Sequence, residues 1–125
     1  MYRPSDSELT ILKLLWDRGP STVHDLHATI GPDRGVGYTT VLKTLQVMTK
    51  KGAVTRESSR RPHVFTAAVE RSAIEGGMVS RLVDTVFGGS LSSLMARALD
   101  DSPTSPEELA ALRELLNHMP SGDES

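Results

Sequence analysis

"GYTTVLKTLQVMTKKG", Gly37 to Gly52, is the stretch on which the reading of this chain turns. Successive residues of an α-helix advance by about 100°. With Val41 at the centre of one face, Leu45 and Met48 fall beside it, and Tyr38 and Leu42 flank it. Thr39, Lys43, Gln46 and Lys50 then point the opposite way. The spacing predicts an amphipathic helix over 38–51, with Gly52 placed to close it in a left-handed conformation. The polar face carries hydroxyls, an amide and two lysines, but no carboxylate. In a chain with 16 acidic residues, an ordinary solvated helix would be expected to carry some of them. A face that meets a polyanion must exclude them.

Upstream, "PSDSELTILKLLWDRGP" predicts a first helix. Ser5 is its N-cap and Glu8 stands at the third position, the capping-box pattern. Leu9, Leu12 and Trp16 recur at helical spacing, with Ile11 and Leu15 beside them, and Gly19-Pro20 stops the helix. Ser21 is the expected cap of a short second helix, "TVHDLHATI", striped by Val23, Leu26 and Ile30. "GPDRGVG" reads as a glycine-rich loop that ends it. Downstream, "AVTRESSRRPHVFTAAV" places Val54, and then Val64 and Phe65, in strand-type segments around a polar turn, Ser58 to Arg61. Pro62 suits a sheet edge. Three helices followed by a hairpin is the order of a winged helix-turn-helix, assigned to residues 1–69.

The second half changes character. "ERSAIEGGMVSRLVDTVF" is predicted helical, with Ile74, Val79, Leu82, Val86 and Phe87 as its apolar contacts. Gly76 and Gly77 each cost about 1 kcal/mol relative to alanine, which predicts a kink or close packing there. Gly88-Gly89 end this helix. Ser90 caps "LSSLMARAL", whose apolar residues are Leu91, Leu94, Met95, Ala98 and Leu99. Ser105, Pro106 and Glu108 open a last helix carrying Leu109, Leu112, Leu115 and Leu116 on one face. Such short helices make a poor core alone. Residues 70–119 are therefore expected to form a three-helix dimerisation domain closed against a second copy, rather than folding back on the winged domain of their own chain. Residues 120–125 are expected to be a disordered tail. The predicted fold class is mainly α with a small β-hairpin wing: a winged helix-turn-helix plus a C-terminal helical dimerisation domain.

Charge divides along the same line. Residues 1–69 hold ten Lys and Arg against six Asp and Glu, a net +4, and residues 70–125 hold four against ten, a net −6. Only the first half suits a polyanion. No cysteine is present, so disulfides and thiolate metal sites are excluded. No apolar run approaches the roughly 20 residues of a membrane span, and no secretory leader pattern opens the chain. The expectation is a cytoplasmic protein without membrane insertion. His24 and His27 form H-x-x-H, but a third ligand at suitable local spacing is missing, so no metal and no cofactor are expected. Nor does any cluster pair a nucleophile with a base, and the expectation is a non-enzyme.

The residues that suit double-stranded DNA form one set. Gln46 can pair with adenine, Lys43 and Lys50 with guanine or phosphate, and Thr39 and Thr40 stand at the helix end that usually meets the bases. Leu42 borders this face and can touch a thymine methyl or pack. Arg60 and Arg61 at the hairpin tip suit phosphate or minor-groove contact, and Thr22 opens a helix whose free N–H groups can hold a phosphate. Two other readings fit less well. One is a winged-helix module that binds proteins, and the other is a DNA-binding repressor released by a small ligand.

"SELTILKLLWDRGPSTVHDLH", "YTTVLKTLQVMTKKGAVTRE" and "RRPHVFTA" together resemble the penicillinase-repressor family (BlaI/MecI/CopY). The marks are the Leu-Trp late in the first helix, the Tyr-Thr-Thr-Val opening the third, and the Lys-Lys-Gly closing it. "FGGSLSSLMARAL" and "SPEELAALRELL" resemble its dimerisation helices. The resemblance implies a homodimeric repressor on a palindromic operator, often that of β-lactam resistance genes or of its own operon. It places Thr39, Thr40 and Lys43 in the reading helix and Arg60-Arg61 in the basic wing. It further implies, for the penicillinase branch, a membrane sensor metalloprotease that triggers cleavage in the dimerisation helices. Two departures stand out. The copper-responsive branch carries cysteines at its C-terminus, and this sequence has none. Arg97-Ala98 occupies the place of the Asn-Phe bond cut in the penicillinase branch.

Overall fold

A computed structural model describes residues 1–59 and 61–120, with Asp33 by its backbone alone. Six helices and one hairpin follow in order: α1 (Asp6–Arg18), α2 (Val23–Arg34), α3 (Tyr38–Lys51), β1 (Val54–Glu57), β2 (Val64–Ala67), α4 (Arg71–Val86), α5 (Leu91–Asp101) and α6 (Pro106–Asn117). They fall into two compact units, Met1–Val79 and Ser80–Ser125. The expected tail at 120–125 lies, apart from Pro120, outside the described residues.

The first unit is built around one apolar cluster. Leu12, Leu26, Leu45, Met48 and Val54 are fully buried, one or more from each of the first three helices and the hairpin. Burying such a side chain contributes about 1.5–3 kcal/mol. Val41, Leu45 and Met48 are the buried residues of α3, as its helical phase requires. Gly52 closes α3 at φ 80°, where a side chain would be strained, and donates its N–H back to the last turn. The strands pair antiparallel in the register Val54 with Ala67 and Arg56 with Phe65.

Three local expectations are corrected. The buried stripe of α1 is Ile11, Leu12 and Leu15, whereas Leu9 and Trp16 stand at its edges, half-buried. Trp16 is held there because its indole N–H donates to the Val69 carbonyl at 3.0 Å. The cap of α2 is Thr22 rather than Ser21. The Thr22 hydroxyl accepts from the Asp25 N–H at 3.1 Å, and the Asp25 carboxylate accepts the Thr22 N–H at 3.2 Å. Ser21 is instead buried and pairs with Phe65 as an isolated bridge, which gives the hairpin a third partner. Finally, "GPDR" continues α2 to Arg34 with Pro32 inside the helix. Pro32 cannot donate to the Ala28 carbonyl and crowds it, but both residues are exposed, so the helix can bend slightly there and water can meet that carbonyl. Gly35, left-handed at φ 65°, ends the helix instead.

In the second unit, the Ser90 and Ser105 hydroxyls accept the N–H groups of Ser93 and Glu108, both at 3.1 Å, so α5 and α6 begin where their caps predict. Gly88 and Gly89, both at positive φ, separate α4 from α5. Helix α4 runs unbroken through Gly76 and Gly77, and the Met1 sulfur lies 3.4 Å from where a Cβ would stand on Gly77.

Candidate nucleic-acid interface

The candidate interface draws on three elements of the first unit. Helix α2 supplies its N-terminus, α3 its polar face, and the hairpin its inner edge. The turn between α2 and α3 is fixed by a ring. His27 Nε2 lies 3.0 Å from the Val36 carbonyl oxygen, and the ring packs over Gly31, where a Cβ would stand 2.6 Å from Nε2. The Tyr38 ring meets His27 edge-on, with centroids 6.0 Å apart. Val36 and Tyr38 thus both fix how α3 follows α2. This use of His27 also takes it out of the H-x-x-H reading.

Thr39, Thr40, Lys43, Gln46 and Lys50 are all exposed on α3, and Leu42 is half-buried at their border. Val47 is 44% exposed, so it belongs to the open face rather than to the core. Thr44 and Thr49 turn their hydroxyls back onto the Thr40 and Leu45 carbonyls, each at 2.8 Å. Lys50 enters no ion pair among the described residues, whereas its neighbour Lys51 pairs with Glu8 at 3.0 Å.

A cleft of about 280 Å³ opens between α2, α3 and the hairpin. It gathers Thr22, Leu42 and Gln46 from the sequence-predicted set, and adds His24, Tyr38, Thr49, Arg56 and His63. Thr39, Lys43 and Lys50 are not part of its lining and stand on the open face beyond it. Gln46 is the residue where face and cleft meet. Arg61 is exposed at the hairpin tip, and Arg60 lies outside the described residues. Arg56 is a cleft-lining residue that sequence reasoning missed. The signal was strand alternation: Arg56 opposes Phe65, so it shares the inward face with Val54 and Phe65 and emerges at the cleft. His24, by contrast, follows from the corrected start of α2, since it sits in the first turn after Thr22.

Electrostatics reinforce this division. Desolvation alone would raise the Glu8 pKa, but hydrogen bonds from Lys51, Tyr2 and the Ser5 N–H outweigh it, and the pKa is lowered. The Tyr2 hydroxyl is pushed up by burial, then by its bond to Glu8. Asp25 is lowered by the Thr22 N–H and hydroxyl, so the acidic group nearest the α2 N-terminus is held within its capping box. No group of three or more metal-ligating side chains converges among the described residues. No described helix is long and apolar enough to cross a membrane.

Three helices followed by a hairpin that packs back onto them form a winged helix-turn-helix. The chain belongs to the penicillinase repressor family, whose model it matches over residues 4–118. It is 29% identical over 124 residues to the transcriptional regulator BlaI of Mycobacterium tuberculosis, covering 98% of this chain and 88% of that protein. It is 22% identical over 116 residues to the methicillin resistance regulatory protein MecI of Mammaliicoccus sciuri, covering 93% and 94%. Among solved structures it resembles the DNA-binding domain of the repressor BlaI, with a TM-score of 0.50 and 23% identity over 55% of this chain and 84% of that one. That last likeness is one of fold.

Proposed function

We propose that this protein is a homodimeric, sequence-specific DNA-binding repressor that blocks transcription from a palindromic operator. One observation carries the reading: the exposed face of α3 holds Thr39, Lys43, Gln46 and Lys50 and no carboxylate, directly beside the cleft that gathers Thr22, Gln46 and Arg56. A helix of this kind enters the major groove with its N-terminal residues toward the bases. Gln46 serves as a base reader, Lys43 and Lys50 as base or phosphate contacts, and Arg56 and Arg61 as backbone contacts from the wing.

The second unit supplies the dimer. None of its described residues is buried, although Leu82, Val86, Leu91, Leu99, Leu115 and Leu116 are large and apolar. Phe87, Leu94, Met95, Leu109 and Leu112 are only half-buried. A second copy of the same helices covers these residues and sets the half-site spacing. Residues 1–69 are then the DNA-binding domain, with the start of α4 up to Val79 packed in the same compact unit, and the dimerisation domain of residues 70–119 closes through the helices that follow, in a cytoplasmic protein without catalytic activity. Release by proteolysis centres on α5, where Arg97 and Ala98 are exposed and the Arg97 side chain pairs with Asp101 at 3.7 Å. Co-expression with a membrane sensor metalloprotease followed by intact-mass measurement tests that route. Cleavage products that leave α5 whole would remove it.

The functional test is binding of the full chain to the promoter duplex upstream of its own gene and to a scrambled duplex across a salt series. The expected result is tighter binding to the promoter at every salt concentration, with a negative slope of log affinity against log salt. Equal affinity for the two duplexes would contradict a specific repressor. Binding without salt dependence would favour a protein-interaction module.

A further inference from the structure

Two lysines end α3, and the structure treats them differently. Lys50 is exposed and makes no ion pair among the described residues. Lys51 reaches back to α1, where its Nζ donates to Glu8 Oε2 at 3.0 Å. Only 6% of the Glu8 side chain is exposed. Its other oxygen, Oε1, accepts from the Tyr2 hydroxyl at 2.8 Å and from the Ser5 N–H at 3.3 Å. One buried carboxylate therefore joins the N-terminal strap, the first turn of α1 and the last residue of α3.

The capping box alone does not explain an acid here. Glutamine serves the same position in a capping box, because one oxygen suffices for the N-cap N–H. A glutamine oxygen would equally accept the tyrosine hydroxyl. What needs the negative charge is Lys51. A charged group so enclosed is stable only when fully paired, and Glu8 has a donor on each oxygen. The pairing spans 43 positions of sequence, so its consequence is tertiary: it fixes the C-terminal end of α3 against α1.

That end matters because α3 works as a lever. At about 1.5 Å per residue a 14-residue helix is roughly 21 Å long, and a tilt of about 5° at one end moves the other by about 2 Å. Hydrogen bonds to base edges tolerate only about 0.5 Å of misplacement. We infer that Glu8 is a positioning residue for DNA reading: through Lys51 it sets the angle at which Lys43, Gln46 and Lys50 meet the duplex, and it withdraws Lys51 from phosphate contact. This inference rests on the proposed DNA-reading function of α3. It adds a residue outside the contact surface that governs specificity rather than charge.

The test uses the full chain, a duplex enriched by the wild-type protein from a random library, and a mixed-sequence duplex of equal length. Affinity is measured against salt for wild type, Glu8→Gln, Lys51→Met and the double variant. The expected result is a fall of about tenfold in the ratio of selected to mixed affinity, the same in both single variants and in the double, with an unchanged salt slope. Lys51→Met changes a half-exposed side chain, so it reads the clamp even if Glu8→Gln folds poorly. A salt slope reduced by about 0.9 in Lys51→Met would make Lys51 a phosphate contact and overturn the inference. An unchanged affinity ratio in folded Lys51→Met, with only its urea midpoint lowered, would reduce the clamp to a stability element and also overturn it. A wild-type chain that enriches no duplex would overturn the functional reading and this inference with it, whereas the two preceding results overturn the inference alone.

Discussion

Ser21 and Phe65 exchange two backbone hydrogen bonds, Ser21 N–H to the Phe65 carbonyl at 3.0 Å and Phe65 N–H to the Ser21 carbonyl at 2.8 Å. This pair fastens the wing to the turn between α1 and α2. It brings Arg56, which pairs with Phe65 across the hairpin, and His63, two residues before Phe65, into one cleft with the start of α2. The bond is made by backbone, so the side chain at position 21 is a minor contributor. Ser21→Ala is expected to cost less than about 1 kcal/mol, since it removes only the hydroxyl bond to the Gly19 carbonyl. Ser21→Pro removes the donor and leaves the Phe65 carbonyl unpaired, which is expected to cost about 1–3 kcal/mol. Urea unfolding at fixed protein concentration checks both, and equal losses would contradict the bridge.

Gly31 is required by contact. A Cβ on it would stand 2.6 Å from His27 Nε2 and 2.9 Å from the Val36 carbonyl oxygen. Gly31→Ala is expected to cost about 1–3 kcal/mol by overpacking. Adding His27→Ala should restore part of the loss, because the backbone contact with Val36 remains. If thermal unfolding shows the double variant no more stable than Gly31→Ala, the ring is not the obstacle.

Stability and DNA reading should separate on adjacent residues of α3. Leu45 is fully buried and Gln46 is exposed. Leu45→Ala is expected to cost about 2–5 kcal/mol. Gln46→Ala is expected to stay within about 0.5 kcal/mol of wild type while changing which base is preferred at one position of each half-site. Comparable urea midpoints for the two variants would contradict the observed phase of the helix.

The acid limb of stability follows from Glu8 and Asp25, whose pKa values are both lowered in the folded chain. A group with a depressed folded pKa stabilises above its unfolded pKa, and that stability is lost as pH falls through the folded value. The chain is therefore expected to hold its urea midpoint at neutral pH and to lose stability as pH drops below about 4.5, the unfolded value of Glu8. Glu8→Gln should flatten part of this limb. An acid limb of identical shape in that variant would show that the Glu8 carboxylate does not contribute to it.

Much of this was legible in the sequence because it is local. Val41, Leu45 and Met48 share one face between two glycines, and Ser5, Ser90 and Ser105 each precede their helix by one residue. Less legible was whatever depends on distant backbone. Ser21 has the side chain of a cap, but its N–H and carbonyl are taken by Phe65, so the cap passes to Thr22. Gly31-Pro32 has the form of a break, yet the buried Ile30 and Gly31 keep the chain helical to Arg34. Arg56 reaches the cleft through its register opposite Phe65, a pairing across the hairpin that local sequence does not show. The role of Lys51 was not legible either, because its partner Glu8 lies 43 positions away in sequence.

The central claim is that α3 reads DNA sequence as part of a two-fold dimer. Enrichment of duplexes from a random library by the full chain, run in parallel with Gln46→Ala, tests it most directly. The account predicts a two-fold symmetric motif, with half-sites separated by one helical turn of DNA or a multiple of it. It further predicts that Gln46→Ala alters one symmetry-related pair of positions and leaves the remainder intact. Enrichment of no motif, or of the same motif by both proteins, would contradict it.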